Sequence, residues 1–141
     1  MIVYADSSFI VSLYIQSQHS VSADALLRQE PQIFLTPLIL AEWAHAVAGQ
    51  VFRGQLSALD AQRIGVLFDN DLKGSLWLTV AMPERAFDLC ADLARRYGAK
   101  LGLRTLDSLH VACALELKAD RFWTFDERQA KLAKAQGLKT L

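Results

Sequence analysis

A chain of 141 residues with 52% hydrophobic side chains can bury one sizeable core, so we expect a single domain over residues 1–141. Its 15 basic and 15 acidic side chains balance, which argues against indiscriminate binding of polyanions through a wide basic surface. No apolar stretch reaches the roughly 18 to 20 uncharged residues of a membrane span. Because the N-terminus also lacks the basic start of a secretory signal, we expect a soluble, cytoplasmic protein with no membrane contact.

Charge is distributed unevenly along the chain. Residues 1–71 hold three basic and seven acidic side chains, whereas residues 72–141 hold twelve and eight. A local basic patch in the second half is therefore compatible with the neutral total. The two cysteines, Cys90 and Cys113, fall on apolar faces of predicted helices, so we expect buried, reduced thiols and assign them no function.

Short runs rich in β-forming residues alternate with helical patterns along the chain. These runs are residues 2–5, 33–35, 76–80, 122–125 and, more weakly, 139–141. Strands that alternate with helices are typical of a mainly parallel sheet that is covered on both faces. We therefore predict a three-layer α/β sandwich in which about seven helices flank a central, mainly parallel five-stranded sheet.

Capping residues mark several helix starts. Thr36 before Pro37 is typical of an N-cap followed by the first helical residue, and Ser57 with Asp60 resembles a capping pair. Thr105 precedes a further apolar period of helical spacing. These signals predict that helices begin at these three places.

Glycines mark two predicted helix ends. The clearest helical pattern covers residues 84–97, where apolar side chains recur along one face. Gly98 follows this pattern, and Gly54 follows another long one. Since glycine is the usual residue just past a helix C-terminus, we expect helices to stop before both.

Acidic residues occupy the ends of elements that should meet at one edge of the sheet. Asp6 ends the first strand run and Asp126 follows the run at 122–125. The carboxyl ends of parallel strands lie at the same edge, where ligands bind in such folds. Glu42 and Asp107 lie near the starts of predicted helices. If those helices also begin at this edge, four carboxylates converge there.

Each acid taken singly has a simpler explanation. Asp6 and Asp126 suit helix N-caps, and Asp126 with Gln129 matches a capping box. Asp107 would complement a helix dipole, and the simpler explanation of Glu42 is a solvated helix residue. Together, however, four carboxylates repel one another and are costly to ionise unless a cation balances them.

The chemistry of the four acids points to a hard divalent cation. Oxygen ligands select Mg²⁺ or Mn²⁺, whereas Zn²⁺ prefers nitrogen and sulfur. Ser8 and Thr124 are candidates to add hydroxyl groups to the same pocket. The alternative for both is hydrogen bonding at a strand end and a helix start.

Three segments of the chain resemble a known family. They are YADSSFIVSLY at 4–14, TPLILAEWAHAV at 36–47 and TLDSLHVACALELKADRFWTFDERQAKLAKAQGLKTL at 105–141. Their residues and order resemble the PIN-domain ribonucleases, and especially the VapC toxins of prokaryotic toxin–antitoxin pairs. The resemblance covers essentially the whole chain.

This resemblance implies a function and a set of site residues. The acids of the family's metal site fall on Asp6, Glu42, Asp107 and Asp126, the same four that the edge argument reached. It implies Mg²⁺- or Mn²⁺-dependent hydrolysis of RNA phosphodiester bonds, with a metal-bound water as the nucleophile. It also implies a homodimer and a cognate antitoxin protein that blocks the site.

A basic segment lies just before Asp107. The stretch RRYGAKLGLR carries four basic side chains that are candidates to hold RNA phosphates beside the metal. These residues are Arg95, Arg96, Lys100 and Arg104. A solvated basic loop without a binding role is the alternative.

Two other functional classes stay open. Glu42 with His45 and Asp107 with His110 are acid-x-x-His pairs, the arrangement of di-iron carboxylate bundles, which would make the protein an oxidoreductase. That fold requires long helices and few strands, so we interpret both histidines as helix-packing residues. A non-catalytic RNA-binding module of the same fold is the second alternative, and the presence of all four acids counts against it.

Overall fold

One parallel sheet organises the protein, of which the computed structural model describes all residues, 1–141. Its strands are β1 (Ile2–Ala5), β2 (Gln32–Leu35), β3 (Trp77–Thr79) and β4 (Arg121–Trp123). The strand order is β3-β2-β1-β4, and all neighbours are parallel. The sheet therefore has four strands, with β1 hydrogen-bonded on both sides.

Seven helices cover the sheet. They are α1 (Ser7–Tyr14), α2 (Ser20–Leu27), α3 (Pro37–Phe52), α4 (Ala58–Lys73), α5 (Ala86–Leu101), α6 (Thr105–Glu116) and α7 (Glu127–Ala135). The crossovers from β1 to β2 and from β2 to β3 run in one direction, and the crossover from β3 to β4 returns. Because parallel crossovers are right-handed, this reversal places helices on both faces. Helices α1 to α4 pack together, as do α5 to α7, and the predicted α/β sandwich is confirmed.

The prediction of a fifth strand was wrong. At residues 139–141 only Lys139 pairs with the sheet, through a single parallel bridge to Arg121. The amide of Phe122 donates to the Lys139 carbonyl at 2.9 Å. The side chains of Lys139 and Leu141 are exposed, so no apolar burial extends the pairing into a strand.

The three predicted helix starts lie within one residue of the observed ones. Helix α3 begins directly after Thr36, although the Thr36 side chain forms no capping hydrogen bond. At α4 the Ser57 side chain accepts from the Asp60 amide at 3.0 Å, as the capping pair predicted. Helix α6 begins at Thr105 itself, so the N-cap is Arg104.

Glycine predicted one helix end and missed the other. Gly54 has a φ of 70° just past α3, which is the left-handed conformation of a residue that follows a helix. Helix α5, in contrast, runs through Gly98 and ends at Gly102, whose φ is 65°. Tyr97 and Leu101 pack against the core, and this burial outweighs the weak helix propensity of Gly98.

The core surrounds β1 and α6. Residues Val3, Tyr4 and Ala5 of β1 are fully buried, and α6 is buried from Asp107 to Ala114. Cys90 and Cys113 are free and buried, as predicted. No helix is both long enough and apolar enough to cross a membrane.

Two glycine substitutions test where α5 ends. Gly98→Ala should raise the free energy of unfolding by about 0.5–1 kcal/mol, since alanine favours the helix interior. An added Cβ there would meet only the Ala94 Cβ, at 3.9 Å. Gly102→Ala should lower the free energy of unfolding by about 1 kcal/mol, because alanine is strained at positive φ. Urea unfolding measures both, and equal destabilisation by the two changes would contradict this helix end.

Candidate functional site

The four predicted acids lie together at the carboxyl edge of the sheet. Asp6 and Asp126 follow β1 and β4, while Glu42 and Asp107 project from α3 and α6. All four line one pocket of 480 Å³, which Arg104 and Gln129 also line. The convergence expected from parallel strands is therefore present.

Asp6 is buried at the base of this pocket, with 1% of its surface exposed. Its Oδ1 accepts from the Phe9 amide at 3.1 Å and from the Ser8 hydroxyl at 2.6 Å. Its Oδ2 accepts from the Thr124 hydroxyl at 2.7 Å. Asp6 is thus the N-cap of α1, as the capping explanation held, but it also lines the pocket with the other acids.

Burial raises the pKa of Asp6, because ionisation inside the protein loses the solvation that water provides. His110 nearby and the hydroxyl groups of Ser8 and Thr124 offset this effect only in part. Ionisation of Asp6 is therefore less favourable than ionisation of an exposed aspartate.

Ser8 and Thr124 both form hydrogen bonds in the segments that carry the acids. Besides binding Asp6, the Ser8 hydroxyl accepts from the Phe125 amide at 3.1 Å. The Thr124 hydroxyl accepts from the Asp126 amide at 2.9 Å. Ser8 lines the pocket, whereas Thr124 is buried behind it. These contacts match the hydrogen-bonding alternative for both residues.

Arg104 bridges two of the acids. Its Nε and Nη2 donate to the oxygens of Asp107 at 3.2 and 3.3 Å, and its backbone amide donates to Asp107 at 2.9 Å. Nη2 also donates to Asp126 at 3.3 Å. Asp126 in addition caps α7 by accepting from the Gln129 amide at 3.0 Å. Arg104 therefore supplies the counter-charge for this side of the pocket.

Asp107 is almost completely buried, yet its pKa is lowered from the ordinary value of an aspartate. Burial by itself raises the pKa of Asp107, but the hydrogen bonds and charge of Arg104 bring it below the usual value of an aspartate. Asp6 and Asp107 are therefore both buried acids with pKa shifts of opposite sign. The difference arises because only Asp107 is paired with a guanidinium.

Three of the four basic residues that were candidates to hold RNA phosphates do not line the pocket. Arg95, Arg96 and Lys100 are exposed on α5, so the segment is helical as far as Leu101. Arg96 pairs with Asp92 at 2.8 Å on the same helix. Only Arg104 lines the pocket, and there it binds carboxylates.

Glu42 is held by a histidine that sequence reasoning had assigned to packing. Glu42 Oε1 lies 2.5 Å from His110 Nε2, and His110 Nδ1 lies 2.9 Å from the Tyr4 hydroxyl. His110 is fully buried, as a packing residue should be, but its contact is with a candidate site acid. The spacing of Asp107 and His110, which suggested the di-iron alternative, was the signal in the sequence that set His110 apart from other helix residues.

The di-iron arrangement is absent. His45 is exposed, and the sheet with its seven helices is not a four-helix bundle. His110 contacts Glu42 from the other acid-x-x-His pair and is bonded on its second nitrogen to Tyr4.

The oxygen atoms around the pocket are suitable ligands for a hard cation, although the side chains are not positioned to coordinate one. No group of three or more His, Cys, Asp or Glu side chains is placed to hold a metal ion as it stands. Arg104 engages Asp107 and Asp126, which accounts for part of this arrangement. The available donors are carboxylate oxygens together with the buried Oε1 of Gln129, which has no hydrogen-bond partner. Such oxygens fit Mg²⁺ or Mn²⁺.

Replacing Asp6 with Asn should raise the free energy of unfolding of the metal-free protein at neutral pH. The folded pKa lies above the unfolded one, so the contribution of Asp6 is full below an unfolded pKa of about 3.9 and is lost as the pH rises through the folded pKa. Asn cannot ionise and still accepts from the Phe9 amide. Urea unfolding in EDTA measures the free energy of unfolding of both proteins at acidic and neutral pH. The increase in Asp6→Asn over the unmodified protein should be larger at neutral pH.

The exposed acid Asp24 provides the matched control for this experiment. Asp24→Asn makes the same change in net charge and should alter stability little at either pH. A loss of stability in Asp6→Asn at neutral pH, with no loss in Asp24→Asn, would show that hydrogen bonds outweigh the cost of the buried charge.

Replacing Arg104 with Gln should raise the pKa of Asp107, measured by carboxyl ¹³C NMR. Because the folded pKa is depressed, this pair stabilises the protein above the unfolded pKa, and that contribution is lost as the pH falls through the folded pKa. The stability difference between the two proteins should therefore be largest at neutral pH and narrow in acid. Arg96→Gln is the control, because it breaks only the exposed pair with Asp92 and should leave the pKa of Asp107 unchanged. An unchanged pKa of Asp107 in Arg104→Gln would contradict the pairing of Arg104 with Asp107.

Solved structures with the same fold include components of toxin–antitoxin systems. The chain is similar to FitAcB from Neisseria gonorrhoeae, with 18% identity, a TM-score of 0.68 and coverage of 100% of this chain and 96% of that one. It is similar to VapC20 of Mycobacterium tuberculosis, described as a sarcin-ricin loop cleaving toxin, with 12% identity, a TM-score of 0.68 and coverage of 92% and 93%. VapBC2 of Rickettsia felis, bound to a promoter DNA fragment, has 17% identity, a TM-score of 0.66 and coverage of 100% and 98%.

A comparison with curated protein sequences found no match. A family model described as PIN domain matches residues 3–135. This match spans nearly the whole chain and includes all four pocket acids, so the protein belongs to the PIN domain family.

Proposed function

We propose that the protein is a metal-dependent endoribonuclease that hydrolyses RNA phosphodiester bonds. The observation that carries this proposal is the convergence of Asp6, Glu42, Asp107 and Asp126 on one pocket at the carboxyl edge of a PIN-domain sheet. The chain resembles PIN-domain ribonucleases, and the acids of that family's metal site correspond to these same four residues. Their roles as ligands are part of the proposal.

The four acids differ in exposure, and this difference suggests a different role for each pair. Asp6 and Asp107 are buried at the base of the pocket, where they would hold a cation in place. The side chains of Glu42 and Asp126 are 22% and 26% exposed, so they face both the pocket and an incoming substrate. Mg²⁺ or Mn²⁺, when bound, supplies an activated water and counter-charge for the phosphate.

Arg104 has a place in the same scheme. Its side chain is 64% exposed, and its guanidinium bridges Asp107 and Asp126. If these acids act as ligands, a cation would compete with the guanidinium for their oxygens, and a displaced guanidinium would be available to bind a phosphate. Arginine suits that role because its planar donors match phosphate oxygens.

We further propose that the protein is the toxin of a prokaryotic toxin–antitoxin pair and inhibits translation. Support comes from fold similarity to VapC20, described as a toxin, and to the VapBC2 complex. On this proposal an antitoxin protein covers the acidic pocket and the toxin forms a homodimer.

A non-catalytic RNA-binding module is the second candidate. The bridge from Arg104 to Asp107 and Asp126 favours it, because it neutralises two acids without any metal. So does the lack of three side chains placed to hold an ion. A binding module would retain RNA with or without Mg²⁺ and would leave it intact.

Mutation of the pocket acids separates these candidates. Asp6→Asn, Asp107→Asn, Asp126→Asn and Glu42→Gln should each reduce Mg²⁺-dependent RNA cleavage by at least about 100-fold, since each removes a charge from the proposed metal site. Folding should survive in Asp6→Asn and Asp126→Asn, because Asn caps a helix about as well as Asp. Asn and Gln keep the size and a hydrogen-bonding oxygen at Asp107 and Glu42. Cleavage of a total RNA substrate by purified protein gives the rates. Growth inhibition on expression should disappear in the same variants.

His45→Gln is the matched control, because His45 is exposed and forms no hydrogen bond in the structure. It should cleave at the unmodified rate. Cleavage at that rate by all four acid variants would mean that the capping of α1 and α7 by Asp6 and Asp126 and the side-chain pairings of Glu42 and of Asp107 are purely structural, and the nuclease proposal would be withdrawn.

A further inference from the structure

His110 connects Glu42 to the centre of the sheet. It projects from α6 and lies between Glu42 of α3 and Tyr4 of β1. Both ring nitrogens are occupied, by Glu42 Oε1 at 2.5 Å and by the Tyr4 hydroxyl at 2.9 Å. His110 and Tyr4 are fully buried, and their rings meet edge to face with centroids 5.9 Å apart. The ring therefore has little freedom to turn.

The chemistry of the two partners determines the direction of the bond to Glu42. An ionised carboxylate can only accept hydrogen bonds, so His110 Nε2 must carry the hydrogen. In a neutral ring Nδ1 is then the acceptor, and the Tyr4 hydroxyl donates to it. The donor to Glu42 is the same whether the ring is neutral or protonated.

This bond leaves half of the Glu42 carboxylate available. Oε1 accepts from His110, whereas Oε2 has no hydrogen-bond partner in the structure. The side chain is 22% exposed and lines the acidic pocket. Glutamate is long and flexible, and Glu42 lies within α3 with no cap or arginine to hold it. His110 is its only hydrogen-bond partner.

We propose that His110 is a positioning residue for Glu42, and that Tyr4 holds the His110 ring in turn. The pair orients Glu42 so that Oε2 faces the pocket as a ligand for Mg²⁺ or Mn²⁺. This inference rests on the proposed metal-dependent function and adds a supporting group behind one of its acids. Partners of this kind behind metal ligands commonly change metal affinity by 10- to 100-fold.

The test measures the affinity of the purified protein for Mn²⁺ by isothermal titration calorimetry. His110→Leu removes the donor and should weaken Mn²⁺ binding by about 10-fold or more. His110→Gln places an amide N–H where Nε2 stood and should retain most of the affinity. His45→Leu makes the same change at an exposed histidine and should bind Mn²⁺ as the unmodified protein does.

A double variant tests whether His110 acts through Glu42. Glu42→Gln alone should weaken Mn²⁺ binding, and adding His110→Leu to it should cause little further loss. Additive losses of Mn²⁺ affinity would mean that His110 acts independently of Glu42 and would overturn the inference. An affinity of His110→Leu equal to that of the unmodified protein would also overturn the inference.

The unmodified protein provides a measurement that needs no variant of a buried residue. ¹⁵N NMR of the histidine rings should find a hydrogen on His110 Nε2, and Glu42→Gln should change the signals of that ring. A ring without a hydrogen on Nε2 would overturn the inference even if every His110 variant failed to fold.

RNA cleavage on the same samples keeps this inference distinct from the proposed function. Mn²⁺ binding that depends on His110, in a protein that cuts no RNA, would support the positioning role and reject the nuclease. Cleavage with Mn²⁺ affinity unchanged by His110→Leu would do the reverse. No Mn²⁺ binding by the unmodified protein would overturn the positioning role.

Discussion

The burial of Asp6 at the end of the central strand is the constraint on which the site depends. β1 is hydrogen-bonded on both sides, so its carboxyl end cannot move away from the neighbouring strands. Asp6 is held there by the Phe9 amide and by the Ser8 and Thr124 hydroxyls. These bonds tie the start of α1 to the segment after β4. The other acids are arranged around a carboxylate whose position the sheet determines.

Electrostatic balance is the second feature of the pocket. Four carboxylates in one cavity require positive charge, and Arg104 provides it for Asp107 and Asp126. Asp6 lies outside this pairing, and burial raises its pKa. The metal-free protein is therefore balanced on one side of the pocket only. On the proposed function, a divalent cation would restore the balance and would compete with Arg104 for the acids.

The layers of the fold meet at Glu42. Its carboxylate belongs to α3, the histidine that holds it belongs to α6, and the tyrosine behind that histidine belongs to β1. Helices α3 and α6 belong to the two different groups of packed helices. The contact therefore joins the central strand with helices from both groups. A change in the packing of β1, α3 or α6 would therefore alter the position of the Glu42 carboxylate in the pocket.

The sequence by itself determined the features that depend on near neighbours. Alternating strands and helices predicted the sandwich, and Asp6 and Asp126 were recognised as residues at strand ends and helix starts. The meeting of the four acids also followed from the sequence, because the carboxyl ends of parallel strands share one edge. The hydrogen-bond partners of those acids were decided by the tertiary structure alone. Arg104 bonds to Asp126 across 22 residues and His110 to Glu42 across 68, so no local pattern encodes either pair. Local patterns also failed where burial competed with propensity, as at Gly98, because the energy of packing depends on elements that the chain brings together only when it folds.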